Sequence, residues 1–206
     1  MNDDVPGQAT KRAYIFDLDG TLADTMPIHY RAWTVTCARY GLSFPESRFY
    51  QLGGVPTRRI AAMLVEEAGM HLEPGAVATF KEQAFLDSLD APGAIQPIAP
   101  VVEIARSKLA DGRLAIASGG SRRLVERTLR LLGIESWFPV VVTSEDTKLH
   151  KPEPDVFLEA ARRLGASPDA CTVYEDTDLG IEAARRAKMQ WVDVRPLYLR
   201  RETSGG

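Results

Sequence analysis

The chain has 206 residues, 45% hydrophobic and 26% charged, enough to bury one substantial core or a core with a small satellite domain. Its 25 basic and 28 acidic residues leave a net charge of -3, which offers no long-range attraction to nucleic acid or to an anionic membrane and favours a small charged substrate. Only two cysteines are present, Cys37 and Cys171, without metal-ligand spacing; with no membrane-length apolar run and no signal-peptide pattern in residues 1–10, a reducing cytoplasm is expected.

The apolar run at 13–16 predicts a short buried strand, and it stops at Asp17-Leu18-Asp19-Gly20-Thr21. From 24 to 92 three helical patterns follow one another, at 28–40, 59–68 and 77–89, punctuated by Gly41, Gly53-Gly54, Gly69 and Pro74-Gly75. They read as a helical insertion, giving a core of residues 1–23 and 93–206 and a cap of 24–92. Its expected hinges are Asp24-Thr25 and the turn Asp90-Ala91-Pro92-Gly93. Downstream, a strand at 114–117 runs into Ser118-Gly119-Gly120-Ser121, and an amphipathic helix carries Leu124, Val125, Leu129 and Leu132 to a stop at Gly133. A strand at 140–142, a helix opened by Pro154-Asp155, a strand at 172–174 leading into Glu175-Asp176, a helix near 180–184 and a last strand at 191–194 complete the alternation. Such alternation with continuous apolar strands predicts an α/β fold built on a doubly wound parallel sheet. Frayed ends are expected at 1–10 and 202–206.

In extended chain, residues i and i+2 point the same way, so Asp17 and Asp19 could share one small volume at the carboxyl edge of the sheet, where ligands bind. Two carboxylates that close need a cation, and Mg²⁺ suits them because it takes oxygen ligands and bridges carboxylate to phosphate. Taken singly, each signal has a plainer explanation. Asp17-x-Asp19 is compatible with a turn, Ser118 with a helix N-cap, Lys151 with a surface lysine, and Glu175-Asp176 with an acidic helix start. Together, a hydroxyl at Ser118, an ammonium at Lys151 and a second acidic pair at other strand ends make a site for metal-assisted phosphoryl transfer.

Those four elements in that order resemble the haloacid dehalogenase superfamily, with motifs Asp17-Leu18-Asp19-Gly20-Thr21, Ser118, Lys151-Pro152-Glu153-Pro154-Asp155 and Glu175-Asp176-Thr177-Asp178-Leu179-Gly180, across residues 13 to 195. Asp24-Thr25-Met26-Pro27-Ile28-His29 and Gly54-Val55-Pro56-Thr57-Arg58 are similar to its β-phosphoglucomutase-like subgroup, which has a Rossmann-like core and a small α-helical cap. The resemblance implies that Asp17 attacks phosphorus to form an aspartyl-phosphate, and that Asp19 protonates the leaving oxygen and then activates water. It implies a Mg²⁺ site made by Asp17, the backbone carbonyl of Asp19, Glu175 and Asp176, with Thr21, Ser118, the Gly119 amide and Lys151 on the transferring group.

For the substrate, His29, Arg58, Arg59 and Lys81 on the insertion are candidate contacts, whereas Trp33 reads as core. The mutase pattern has a Lys where Gly53 stands, and Pro56-Thr57 also departs from it. These departures favour a phosphatase, most similar to bacterial fructose-1-phosphate and 6-phosphogluconate phosphatases, with a phosphomutase as the alternative. A dehalogenase is disfavoured by Asp19 and the Glu175-Asp176 pair, a receiver-type phosphoacceptor by the insertion, and a non-catalytic binding protein by the complete motif set. A monomer acting on a small phosphorylated molecule is expected. Asp17→Asn should abolish release of inorganic phosphate and Asp19→Asn should strongly reduce it; a fully active Asp17 variant would overturn these roles.

Overall fold

A computed structural model describes residues 12–198 except 90, 92 and 111. The expected frayed ends, and Asp90 and Pro92 of the second expected hinge, therefore lie outside the described residues. Five strands form one sheet in the order β3-β2-β1-β4-β5: β1 (Ala13–Phe16), β2 (Arg113–Ala117), β3 (Val140–Val142), β4 (Cys171–Glu175) and β5 (Gln190–Asp193). Every pair is parallel, with β1 at the centre between β2 and β4. This is the doubly wound α/β sheet expected from the alternation of strands and helices.

The pleat explains why the strands are apolar throughout. Tyr14 and Phe16 of β1 point to one face and Ala13 and Ile15 to the other, and both faces are buried. On the first face α5 (Ala99–Ser107) and α6 (Arg122–Leu132) supply Val101, Ala105, Leu124, Val125 and Leu129, and Phe16 stacks on Tyr174 at 4.4 Å between ring centroids. On the second, α7 (Asp155–Leu164) and α8 (Asp178–Arg186) supply Phe157, Ala160, Ala161, Ala183 and Ala184. A short α9 (Arg195–Tyr198) follows β5.

Between β1 and α5 run α1 (Met26–Tyr40), α2 (Glu46–Gln51), α3 (Thr57–Glu67) and α4 (Pro74–Ser88). Helices α1, α3 and α4 match the three periodic patterns; α2 and α9 carry too few spaced apolar residues to stand out in the sequence, and α5, with Val101, Val102, Ile104 and Ala105, is an addition to the expected elements. The four helices enclose an apolar cluster of their own around Trp33, Phe44, Phe49, Ile60, Leu64 and Val77. Ile28, Ala32, Phe85 and Leu89 join the main core instead. The outgoing and returning chains lie side by side: Asp24 N donates to Gln96 O at 2.9 Å, and Ile98 N to Leu22 O at 2.9 Å.

The loop from β3 toward Lys151 is tied down by Asp146, whose carboxylate accepts from Thr143 N and Thr143 Oγ1 and pairs with Arg122 at 2.6 Å and Arg163 at 2.8 Å. Burial alone would raise its pKa, but the bonds from Arg163 and Thr143 hold it at about 2. A folded-state pKa below the ordinary 3.8 means stability that is fully present above pH 3.8 and lost as pH falls toward 2. Asp146→Asn should cost about 1–3 kcal/mol at neutral pH. In acid titrations followed by circular dichroism, it should also lose less stability than the parent between those two pH values.

Candidate active site

The parallel sheet brings three chain segments to one edge. Asp17 immediately follows β1 and its amide donates to Tyr174 O; Ser118 follows β2 and its amide donates to Val142 O; Glu175 ends β4. Continuing the ladder one residue beyond each strand places these side chains at the carboxyl edge, which is where such sheets bind ligands.

At the centre is a buried ion cluster. Lys151 Nζ donates to Asp17 Oδ1 at 2.6 Å and to Glu175 Oε2 at 2.7 Å, with the three side chains between 0 and 5% exposed. Glu175 Oε1 accepts from Asp176 N, Thr177 N and Thr177 Oγ1, so both of its oxygens are engaged. Burial alone would depress the Lys151 pKa, but Asp17 and Glu175 raise it and the ammonium persists. Lys151 does not do the same for Asp17: burial first, then the negative charge of Glu175, push its carboxyl well above the ordinary carboxylate range. Asp176 is driven up by the same two causes to about 8. Fully ionised, Asp17, Glu175 and Asp176 would set three negative charges against one ammonium, and that repulsion adds to burial in raising the carboxyl pKa values.

Ligand oxygens of Asp17, Glu175 and Asp176 lie within 4.8 Å of one another. Three hard oxygen donors whose full ionisation one lysine does not balance fit a divalent cation of the Mg²⁺ type, and its charge would bring the raised carboxyl pKa values down. Gly20 closes this side. Its φ of +87° is the left-handed turn glycine favours, and a Cβ there would overlap Asp176 Oδ2. Thr21 Oγ1 donates to Asp176 Oδ1 at 2.9 Å, so the Thr21 hydroxyl is directed at a carboxylate of the cluster.

Asp19 stands apart from the three clustered carboxylates. Its Oδ1 accepts from Thr25 Oγ1 at 2.6 Å and meets His29 Nε2 at 3.1 Å, while His29 Nδ1 faces Lys81 Nζ at 2.6 Å. An ammonium can only donate, so Nδ1 accepts and Nε2 carries the proton that points at Asp19. Phe85 stacks on the imidazole at 3.9 Å, and Lys81 sits 5.4 Å from the Phe85 ring centre and 5.8 Å from that of Trp33. Burial lowers the Lys81 pKa to about 8. Burial, then Lys81, lowers that of His29, keeping the ring neutral. Burial opposes ionisation of Asp19, yet His29, Thr25 and Lys81 outweigh it and hold the carboxyl at about 2.

A 60 Å³ cavity touches Asp17, Asp19, His29, Lys81, Ser118 and Gly119. Ser118 Oγ accepts from Gly120 N at 2.9 Å, which leaves its own O–H free to donate. Arg58 is elsewhere: exposed, it lines with Arg59, Lys148 and His150 a 1070 Å³ cleft between the helical insertion and the sheet that reaches Lys151. The plainer readings of two motifs do not hold, because the N-cap of α6 is Ser121 rather than Ser118, and that of α8 is Thr177, which accepts from Gly180 N. Thr25 and Thr177 join the site through their bonds to Asp19 and Glu175, and the sequence marks them only by position, Thr177 two residues after Glu175 and Thr25 at the expected hinge.

The family model described as haloacid dehalogenase-like hydrolase matches residues 14–194, nearly the whole sheet and everything inserted in it. The chain belongs to the haloacid dehalogenase-like hydrolases. It is 40% identical over 187 residues to the fructose-1-phosphate phosphatase YqaB of Escherichia coli K12, covering 89% of this chain and 96% of that protein. It is 32% identical to a phosphorylated carbohydrates phosphatase of Thermotoga maritima, over 86% of this chain and 82% of that one. Among solved structures, a β-phosphoglucomutase from Clostridium difficile superposes with a TM-score of 0.77 at 26% identity, over 88% of this chain and 83% of its own. With such relatives, this haloacid dehalogenase-like chain is an enzyme of the phosphoric monoester hydrolase class.

His29 touches Asp19 and Lys81, which sets up a distinguishing experiment. If it acts through Asp19, His29→Gln should lower kcat about 10²-fold for every phosphate ester alike, the size of a general acid–base contribution. A changed ranking among esters with kcat preserved would instead make His29 a contact of the sugar.

Proposed function

We propose that this protein is a Mg²⁺-dependent phosphatase of small sugar phosphates, of the fructose 1-phosphate or 6-phosphogluconate type, working through an aspartyl-phosphate on Asp17. The observation that carries this reading is the division of labour between two carboxylates lining one cavity: Asp17 is bonded to Lys151, and Asp19 to His29 and Thr25. A divalent cation held by Asp17 and Asp176, with Glu175 and the backbone carbonyl of Asp19 beside them, would supply positive charge to the phosphoryl oxygens.

The chain's own groups do the rest. Asp17 attacks phosphorus while Lys151, the Ser118 hydroxyl and the Gly119 amide neutralise the transferring group, with Thr21 fixing Asp176. Asp19 hands a proton to the departing sugar oxygen and takes one from water in the second step. Held ionised by His29 and Lys81, Asp19 is ready as the base; a phosphoryl dianion arriving beside it favours its protonated form, which the first step uses. The insertion 24–92 serves as a cap over the sheet edge, with the Arg58 cleft as the sugar's approach. In this reading the enzyme acts as a cytoplasmic monomer.

The alternative is a phosphomutase, favoured by the structural likeness to β-phosphoglucomutase. Against it, Gly53 occupies the place of that pattern's Lys, and a Cβ there would press on the Thr177 methyl, so a longer side chain has no room without displacing Thr177. Purified protein assayed with fructose 1-phosphate and 6-phosphogluconate should release inorganic phosphate with Mg²⁺ and stop with a chelator. Isomerisation of β-glucose 1-phosphate that depends on a bisphosphate primer would select the mutase.

A further inference from the structure

The segment after β5 reaches back to both acidic loops. Val194 N donates to Glu175 O at 3.0 Å, and Arg195 pairs with Asp193 at 2.8 Å and with Asp178, the first residue of α8, at 2.9 Å. Within the same short helix, Tyr198 Oη donates to the carbonyl of Gly20 at 2.9 Å, across 178 positions of sequence. The phenol sits where burial, and then the charge of Asp176, raise its pKa, so it stays a donor through the working pH range.

Gly20 matters because of what leans on it. Its Cα packs against the Asp176 carboxylate so closely that no Cβ would fit, and the next residue, Thr21, donates the side-chain bond to Asp176 Oδ1. The other carboxylates of the cluster are held by Lys151, and Glu175 by Thr177 as well. Asp176 depends on the 20–21 turn. That turn is held inside by Gly20 N to Ala23 O and Thr21 N to Leu18 O, and from outside by Tyr198.

We propose that Tyr198 is a positioning residue for the cation: by anchoring the Gly20 carbonyl it fixes the Gly20-Thr21 turn and, through it, the orientation of the Asp176 carboxylate. The inference rests on the reading that Asp17, Glu175 and Asp176 hold a divalent cation. Arg195 belongs to the same clamp, since its bonds to Asp193 and Asp178 set where α9 starts. Nothing in α9 touches the cavity that holds Asp17 and Asp19, so the effect is on metal affinity ahead of the chemistry.

Titration calorimetry with Mg²⁺ alone, on the full chain, is the test, using Tyr198→Phe, which removes only the hydroxyl, and Arg195→Gln as an independent second variant. The Mg²⁺ dissociation constant should rise about tenfold in each, the size of a lost outer-shell partner. The half-saturating Mg²⁺ for phosphate release should rise in parallel, with kcat at saturating Mg²⁺ changing much less. The melting temperature without metal should stay near that of the parent, while the increase brought by Mg²⁺ shrinks. A parent that binds Mg²⁺ and variants that bind it equally well, even with a lowered metal-free melting temperature, would reduce Tyr198 to a structural role and overturn the inference. A parent that binds no Mg²⁺ would overturn the metal reading itself, and this inference with it.

Discussion

The ammonium of Lys151, buried between Asp17 and Glu175, is the interaction on which the site depends. Its positive charge lowers the cost of holding carboxylates side by side out of water, and removing one partner of such a buried set typically costs about 3–5 kcal/mol because the other charge is stranded. The lysine comes from a long loop after β3, so the Asp146 network that fixes this loop and the sheet that fixes Asp17 and Glu175 must both be in place before the three groups meet. The ion cluster thus couples the edge of the sheet to chain 134 residues away from Asp17.

Asp17 and Asp19 are two residues apart in sequence, yet their surroundings drive them in opposite directions. Asp17 faces Glu175 and Asp176, and burial with like charge lifts its pKa. Asp19 faces the helical insertion, where His29, Thr25 and Lys81 lower it to about 2. Environments that push a pair of carboxyl pKa values apart are how one fold obtains two roles from one residue type. The second environment exists only because α1 and α4 pack together and against the core through Ile28, Ala32 and Phe85, which brings His29 and Lys81, 52 positions apart, within 2.6 Å. Helices α1 and α4 therefore bring charge to the edge of the sheet where Asp19 stands.

The strands, the alternation and the four motifs were legible in the sequence because each is local: short apolar runs, an acid or hydroxyl side chain at the end of β1, β2 and β4, and a lysine in a Pro-rich stretch after β3. The helices α2 and α9 were not, being four to six residues with little apolar periodicity. His29 and Lys81 were found as candidate substrate contacts, but no spacing rule joins them to each other or to Asp19. Arg58, the last residue of the Gly54–Arg58 stretch, stands exposed on the wall of the cleft that reaches Lys151. Thr25 and Thr177 are marked in the sequence only by their place in the quoted stretches, and Tyr198 not at all, since hydroxyl side chains are common and the bonds they make span 2 to 178 positions.

By itself, the amino-acid sequence determined the fold class and the identity of the groups at the sheet edge, because strand length, pleat and turn residues are decided within a few neighbours of each position. Tertiary structure alone decided the charge state of those groups. A pKa is set by burial and by whichever charges lie within a few ångströms, and here those charges arrive from a loop, an insertion and a terminal segment that sequence distance does not reveal.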